Sequence, residues 1–302
     1  MILANFPSLG ALATGLAIGV LSTFTTAQAI EGRPDPKTAN SVCDNDDDAP
    51  TDAFGFTDGS GIADLGRGSL GLTLHADGGV RRGRSMGRGA MLQGSYGLLP
   101  CLEVSPYLLG GTTRSQIERQ GLKDKAYGGG FEARYRLLSH GRHGLGLTMG
   151  IDAGLERNES HGEGRFSTYN TTMRLLADKV LIPDTLHAAF NLSHNLIWSG
   201  PSPHQRASTS VIGGALAWQV VEDVYLSGEV RHMRQHDTLG FGKLAGHATF
   251  VGPGIYWQAT EQLAVSLAYN VQVYGEENGQ PGRLDLTNFS RHLVQLDIGW
   301  TF

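Results

Sequence analysis

The sequence predicts an all-β chain, an antiparallel transmembrane β-barrel of about 12 strands with an N-terminal periplasmic tail. Three observations carry this. From Gly68 onward, apolar and polar residues alternate with period two in segments of about 9 to 14 residues, with no sustained helical period. The connections between segments alternate between tight and long, as in a barrel whose two mouths differ. Trp198, Trp218, Trp257 and Trp300 lie on the apolar face close to segment ends, as do Tyr96, Tyr127 and Tyr169. That is the pattern of interfacial aromatic girdles, whereas a soluble β-core places bulky rings in strand middles.

Composition agrees by exclusion. The 302 residues include 43 glycines, 18% are charged, and mean hydropathy is −0.17. A disordered or collagen-like chain is excluded, and no apolar run beyond the N-terminus reaches the ~18 residues of a membrane helix. Alternating faces yield this low hydropathy without opposing a membrane barrel. A net charge of −5 and a pI near 6.1 give no reason to expect a nucleic-acid partner.

Residues 1–29 read as a signal peptide, with an apolar stretch from Leu9 to Leu21 and a small-x-small cleavage site at Ala27-Gln28-Ala29. The n-region departs from the pattern by lacking Lys and Arg, and the rival reading is a retained anchor helix. Export to an oxidising compartment makes Cys43 and Cys101, the only two cysteines, a possible disulfide, with two free thiols as the alternative. No histidine cluster flanks either, so no metal role is expected.

Residues 30–67 form an acidic, Gly/Pro-rich segment with the run Asp44 to Pro50. The glycine and glutamate of an EF-hand are not in register, so a solvated tail is expected. Residues 68–302 form the barrel. Its strands are placed near 68–79, 89–97, 101–112, 126–138, 143–155, 168–180, 185–198, 208–220, 223–235, 245–258, 262–274 and 291–302. Tight turns are expected at 98–100, 139–142, 182–185, 221–222 and 260–261, and long polar loops at 113–125, 156–167, 236–244 and 275–290. A 12-residue strand spans roughly 40 Å, or about 30 Å when tilted by ~40°, enough for an apolar band of ~25 Å.

The last strand, HLVQLDIGWTF, ends in Phe302 with apolar residues, among them Trp300, at every second position. It resembles the C-terminal assembly signal of Gram-negative outer-membrane proteins. That resemblance implies insertion by the barrel-assembly machinery, location in the cell outer membrane, and outer-membrane lipid and lipopolysaccharide as surroundings. The stretches FGFTDGSGIADLGRGSLGLTLHA at 54–76 and LDLTNFSRHLVQLDIGWTF at 284–302 are similar to the outer-membrane transporter family associated with meta-pathway phenol degradation. This implies a porin-like channel or transporter for passive passage of small solutes, often apolar or aromatic; separately, no motif calls for a cofactor. No functional residue carries over from it.

By parity the pore-lining charges are Glu103, Glu132, Arg134, Arg136, Asp152, Arg174, Asp178, Glu229, Arg231 and Asp297, six acids and four bases. Such groups either pair across strands or line a wet channel that filters by charge. Small lumenal residues, among them Gly128, Gly130, Gly144, Gly146, Gly150, Gly213 and Ala215, favour free space and hence a narrow pore, with a barrel plugged by side chains or by the N-terminal tail as the alternative. Arg81, Arg82, Arg84 and Arg88 form a basic cluster on the first long loop, suited to lipopolysaccharide phosphates or anionic solutes, with a solvated loop partly balanced by nearby acids as the alternative. The alternative functions are a lipid-modifying hydrolase and a structural or adhesive barrel. A hydrolase needs a nucleophile, base and orienting group together. No catalytic residue is assigned: His194 and His232 point outward on non-neighbouring strands without a same-face serine and support, and His75 and His187 are lumenal but isolated. Pro253 is expected to sit at a β-bulge, and Lys179 to reach the headgroups from the outer face.

Overall fold

A computed structural model describes residues 53–79, 84–117, 120–160, 164–200, 205–280 and 282–302. The signal peptide, the acidic run, Cys43, Arg81 and Arg82 lie outside them.

Twelve strands form one closed antiparallel barrel: β1 (Gly68–Gly78), β2 (Arg84–Leu99), β3 (Leu102–Ile117), β4 (Gln120–Leu138), β5 (Gly146–Ser160), β6 (Gly164–Ile182), β7 (Leu186–Ser199), β8 (Gln205–Val221), β9 (Val224–His236), β10 (Leu244–Gln258), β11 (Leu263–Glu277) and β12 (His292–Thr301). Each pairs with its sequence neighbours, and β1 pairs with β12 from Ser69↔Thr301 to Gly78↔His292. Phe302 finishes the seam: its N–H donates to the Gly68 carbonyl at 3.0 Å and its carbonyl accepts from the Gly68 N–H at 3.2 Å. Closure satisfies every edge, which a strand in hydrocarbon requires.

The packing is inside out relative to a soluble barrel. Trp218, Trp257, Trp300, Tyr96, Tyr127 and Tyr169 are exposed on the outer face, with leucines and valines between the two aromatic levels, while most of the buried side chains are polar or charged. Lys179 is exposed on the outer face near the end of β6.

Strand number and placement agree with the alternation, but the long-loop ends do not. The stretches 113–125 and 156–167, expected to be loops, are mostly strand, with β3 paired to β4 out to Ile117↔Gln120 and β5 to β6 out to Ser160↔Gly164. Outside an apolar band both strand faces are polar, so the period-two signal vanishes while the backbone ladder continues. The 19 residues of β6 span roughly 63 Å, about 48 Å after a ~40° tilt, so this side of the barrel stands well beyond the ~25 Å band. The 10 residues of β12 give about 25 Å and barely cross it. The same extension corrects the basic cluster, because Arg84 and Arg88 belong to β2 rather than to a loop.

The short turns use the left-handed backbone region at Cys101 (φ 65°), Asp184 (φ 53°) and Asp223 (φ 65°). Aspartate tolerates that region better than most residues. Cys101 is buried and disulfide-bonded. The turn after β4 contains one helical turn, α1 (His140–His143), closed by Gly144 at φ 66°. Gly144 is therefore a helix cap and not a lumenal residue.

Pro253 sits in continuous register, opposite Gly228 of β9, and not at a bulge. The extra residue is Val273 on β11, between the pairs Thr249↔Tyr274 and Phe250↔Gln272. The proline's missing N–H is accommodated instead by a gap in the β10–β11 ladder at Gly252 and Pro253, where a Cβ on Gly252 would lie 1.7 Å from the Tyr269 carbonyl oxygen.

Candidate functional site

The lumen is the site, and a segment of the chain occupies it. From residue 53 the N-terminal segment is re-entrant, and its Ala53, Phe54, Phe56, Thr57, Ser60, Ile62 and Ala63 are buried. It enters at the short-turn mouth, where Ala53 and Phe54 pack with Ala217, Tyr225, Tyr256 and Ala264, residues within four positions of their strand ends. It turns near Thr57 and Asp58 at mid-barrel and leaves by the same mouth. There Gly66 N–H donates to Gly97 O at 2.9 Å and Gly97 N–H to Arg67 O at 3.0 Å. Backbone polar groups cannot enter a lumen without acceptors, and the sequence supplies these as inward carboxylates and one amide.

Glu229 of β9 accepts from Phe56 N–H at 3.2 Å and from the Thr57 hydroxyl at 2.9 Å, and is itself braced by Asn270 Nδ2 at 2.6 Å. Asn191 of β7 binds the main chain of Asp58 at both ends, accepting its N–H at 2.7 Å and donating to its carbonyl at 2.9 Å. Asp178 of β6 accepts Ser60 N–H at 2.8 Å while its other oxygen meets His140 Nε2 at 2.9 Å. Glu103 of β3 accepts Ala63 N–H at 2.6 Å, and the Thr148 hydroxyl donates to the Ser60 carbonyl. Hydrogen bonds to charged partners contribute about 1.5–3 kcal/mol net each.

Cations complete the arrangement. Glu132 is shared by Arg134 at 3.3 Å and Arg174 at 3.4 Å, and Arg174 reaches Asp58 of the inserted segment at 3.7 Å. The Arg231 guanidinium lies 4.9 Å over the Phe56 ring. Asp152 faces Arg174 and Tyr107. Asp297 accepts from Gln295 at 2.8 Å and Ser266 at 3.2 Å, and Arg136 is buried on β4. All ten charges assigned to the lumen by parity are thus buried. Sequence reasoning missed Asn191, Asn270 and Thr148, which share the inward parity of those charges but carry no charge to mark them.

Several of the small lumenal residues stand against close neighbours. A Cβ on Gly130 would collide with the Tyr107 hydroxyl, one on Gly146 with the Ser60 hydroxyl, and one on Gly213 would touch the Arg231 side chain. These positions make room for lumenal side chains and for the inserted segment. One cavity of about 40 Å³ lies beside Phe56, Asp58, Arg174, Asn191 and Arg231. At the other mouth the β11–β12 loop folds inward, with Phe289 packed on Met233, Ala248 and Phe250. Asp285 of that loop accepts from the Thr287 and Asn288 N–H groups at 3.2 and 3.0 Å, and burial raises its carboxyl above the usual range.

Outside the barrel, the structure pairs His194 Nδ1 with the Ser210 hydroxyl at 2.9 Å and His232 Nδ1 with the Thr249 hydroxyl at 2.9 Å. The first pair corrects the expectation that His194 has no same-face serine, because Ser210 comes from the neighbouring strand β8. Phe241 stacks on the His194 ring, and Nε2 is buried without a hydrogen-bond partner among the described residues. Among the described residues no third group orients this pair as in a triad.

The fold recurs in solved outer-membrane proteins. The β domain of the Bordetella autotransporter BrkA superposes with a TM-score of 0.57 at 12% identity, covering 78% of this chain and 100% of that one. An outer-membrane channel from Pseudomonas putida F1 gives 0.53 at 11% identity, with 80% and 97% covered. The translocator domain of the autotransporter NalP from Neisseria meningitidis gives 0.50 at 13%, with 80% and 90% covered. At such identities the likeness is one of fold. No curated protein matches the sequence. Residues 47–302, which take in the inserted segment and all twelve strands, match a family described as of unknown function (DUF6662), and the chain belongs to that family.

Proposed function

We propose that the protein is an outer-membrane channel for small solutes, held closed by its own residues 53–66. One observation carries this reading: the charged lumenal wall binds a segment that contributes no strand to the barrel and enters and leaves by one mouth. Withdrawing such a segment exposes a polar passage without breaking the ladder. The likeness to the P. putida channel supports the reading at the level of fold. The resemblance of 54–76 and 284–302 to the phenol-pathway transporter family favours apolar or aromatic solutes.

The test is planar-bilayer conductance of the full chain against a triple variant, Glu103→Gln, Asp178→Asn and Glu229→Gln, which weakens three anchors of the segment. The wild type is expected to be closed with rare openings. The variant is expected to open stepwise at least tenfold more often. A folded variant, verified by heat-modifiable gel mobility, that stays electrically silent overturns the channel. A wild type that is fully open overturns the closing segment.

A further inference from the structure

The outer wall of the barrel carries a charge pattern that the channel reading does not use. On the long-loop side, the lipid-facing rows of five consecutive strands end in cations: Arg88 on β2, Arg114 on β3, Lys123 and Lys125 on β4, Arg157 on β5 and Arg165 on β6, all exposed. They share their faces with Leu92, Leu108, Tyr127, Leu155 and Tyr169, which point at lipid. The register draws them into one patch. Arg88, Thr112, Lys125, Glu159 and Arg165 stand side by side across β2 to β6, Arg114 is opposite Lys123, and Arg157 is opposite Tyr127 of the aromatic girdle. With strands ~4.8 Å apart, the patch is roughly 19 Å wide.

Among the described residues the acid that faces outward here is Glu159, taken by Arg165 at 2.9 Å. Among the described residues the other five cations meet no carboxylate. Cations this close repel one another within the ~8 Å Debye length of physiological salt, and a multivalent anion relieves that repulsion at several of them at once. Its height fixes the anion's nature. The patch begins at the girdle level of Tyr127 and extends away from the apolar band, where a long cationic side chain meets headgroups and not hydrocarbon. A singly charged phospholipid neutralises one cation, whereas a glycolipid with more than one phosphate spans several, and arginine's planar fork suits phosphate oxygens bidentately.

We propose that the outer wall of β2 to β6 is a binding site for the lipid A phosphates of lipopolysaccharide. The basic site is therefore a strand surface running from Arg88 to Arg165, and it stands independently of whether the barrel conducts.

The test is native mass spectrometry and calorimetric titration of the full chain in detergent with diphosphoryl lipid A as the probe, and monophosphoryl lipid A and phosphatidylglycerol as comparisons. Diphosphoryl lipid A is expected to bind at least tenfold more tightly than phosphatidylglycerol, with monophosphoryl lipid A between, and to weaken with added salt. The quadruple variant Arg114→Gln, Lys123→Gln, Lys125→Gln and Arg157→Gln is expected to lose at least tenfold. The pairs Arg114→Gln/Lys123→Gln and Lys125→Gln/Arg157→Gln, each expected to lose about threefold, serve if the quadruple variant does not fold. The control Arg206→Gln/Arg234→Gln, on β8 and β9, is expected to bind as the wild type. Equal affinity for diphosphoryl lipid A and phosphatidylglycerol, unchanged binding by the patch variants, or an equal loss in the control overturns the site. Bilayer conductance is not expected to change in any of these variants, so failure here and failure of the channel reading are separable.

Discussion

At Gly252 a single hydrogen atom decides whether β10 and β11 can approach. The Tyr269 carbonyl sits where a methyl group would be, and it belongs to the backbone, so it cannot swing aside. Gly252→Ala is expected to cost about 1–3 kcal/mol, the usual range for overpacking, read as a lower urea midpoint of the heat-modifiable folded band. Asn191→Ala presents the opposite case. It removes both bonds to the Asp58 main chain, each worth about 0.5–1.5 kcal/mol, and is expected to increase channel openings with little change in barrel stability. Inward-facing charges such as Glu229 were legible from alternation alone, because parity fixes the face of a side chain. Their partners were not: Phe56 and Glu229 meet across 173 positions of sequence, and no periodicity encodes a contact of that kind. Glycine content misled for a related reason, since an inward glycine is compatible with empty space or with a neighbour's side chain.

Twelve alternating segments became twelve strands because each must bury one polar face and expose one apolar face. The tight turns were equally legible from their lengths. The long-loop ends were not, because the hairpins β3–β4 and β5–β6 outrun the apolar band and leave period-two patterning behind. These projecting hairpins are expected to be reachable from outside the cell. A short epitope placed between Ser160 and Gly164 is expected to be labelled on intact cells without loss of folded barrel, whereas one placed at the β8–β9 turn, between Glu222 and Asp223, is expected to be labelled only after permeabilisation. The reverse pattern would invert the barrel.

Closure of the molecule depends on its shortest strand and on the last residue. Phe302 adds two backbone bonds to Gly68 beyond the β1–β12 ladder, and its ring covers the Gly68 Cα. Phe302→Ala is expected to keep these backbone bonds while lowering the yield of assembled barrel several-fold in cells, read as the ratio of folded to unfolded bands. Re-entry of residues 53–66 has a mechanical consequence for the same closed ring. Both limbs of the segment pass through one opening, so it lies in the barrel as a cork and not as a thread. A thread would have to be pulled end first through the whole lumen. A cork is withdrawn by a pull on its free limb at Ala53, with the ring intact around it, while the other limb stays tethered at the start of β1 at Gly68. A pull applied at Ala53 therefore acts first on the bonds to Glu229 and Asn191, and then on those to Asp178 and Glu103.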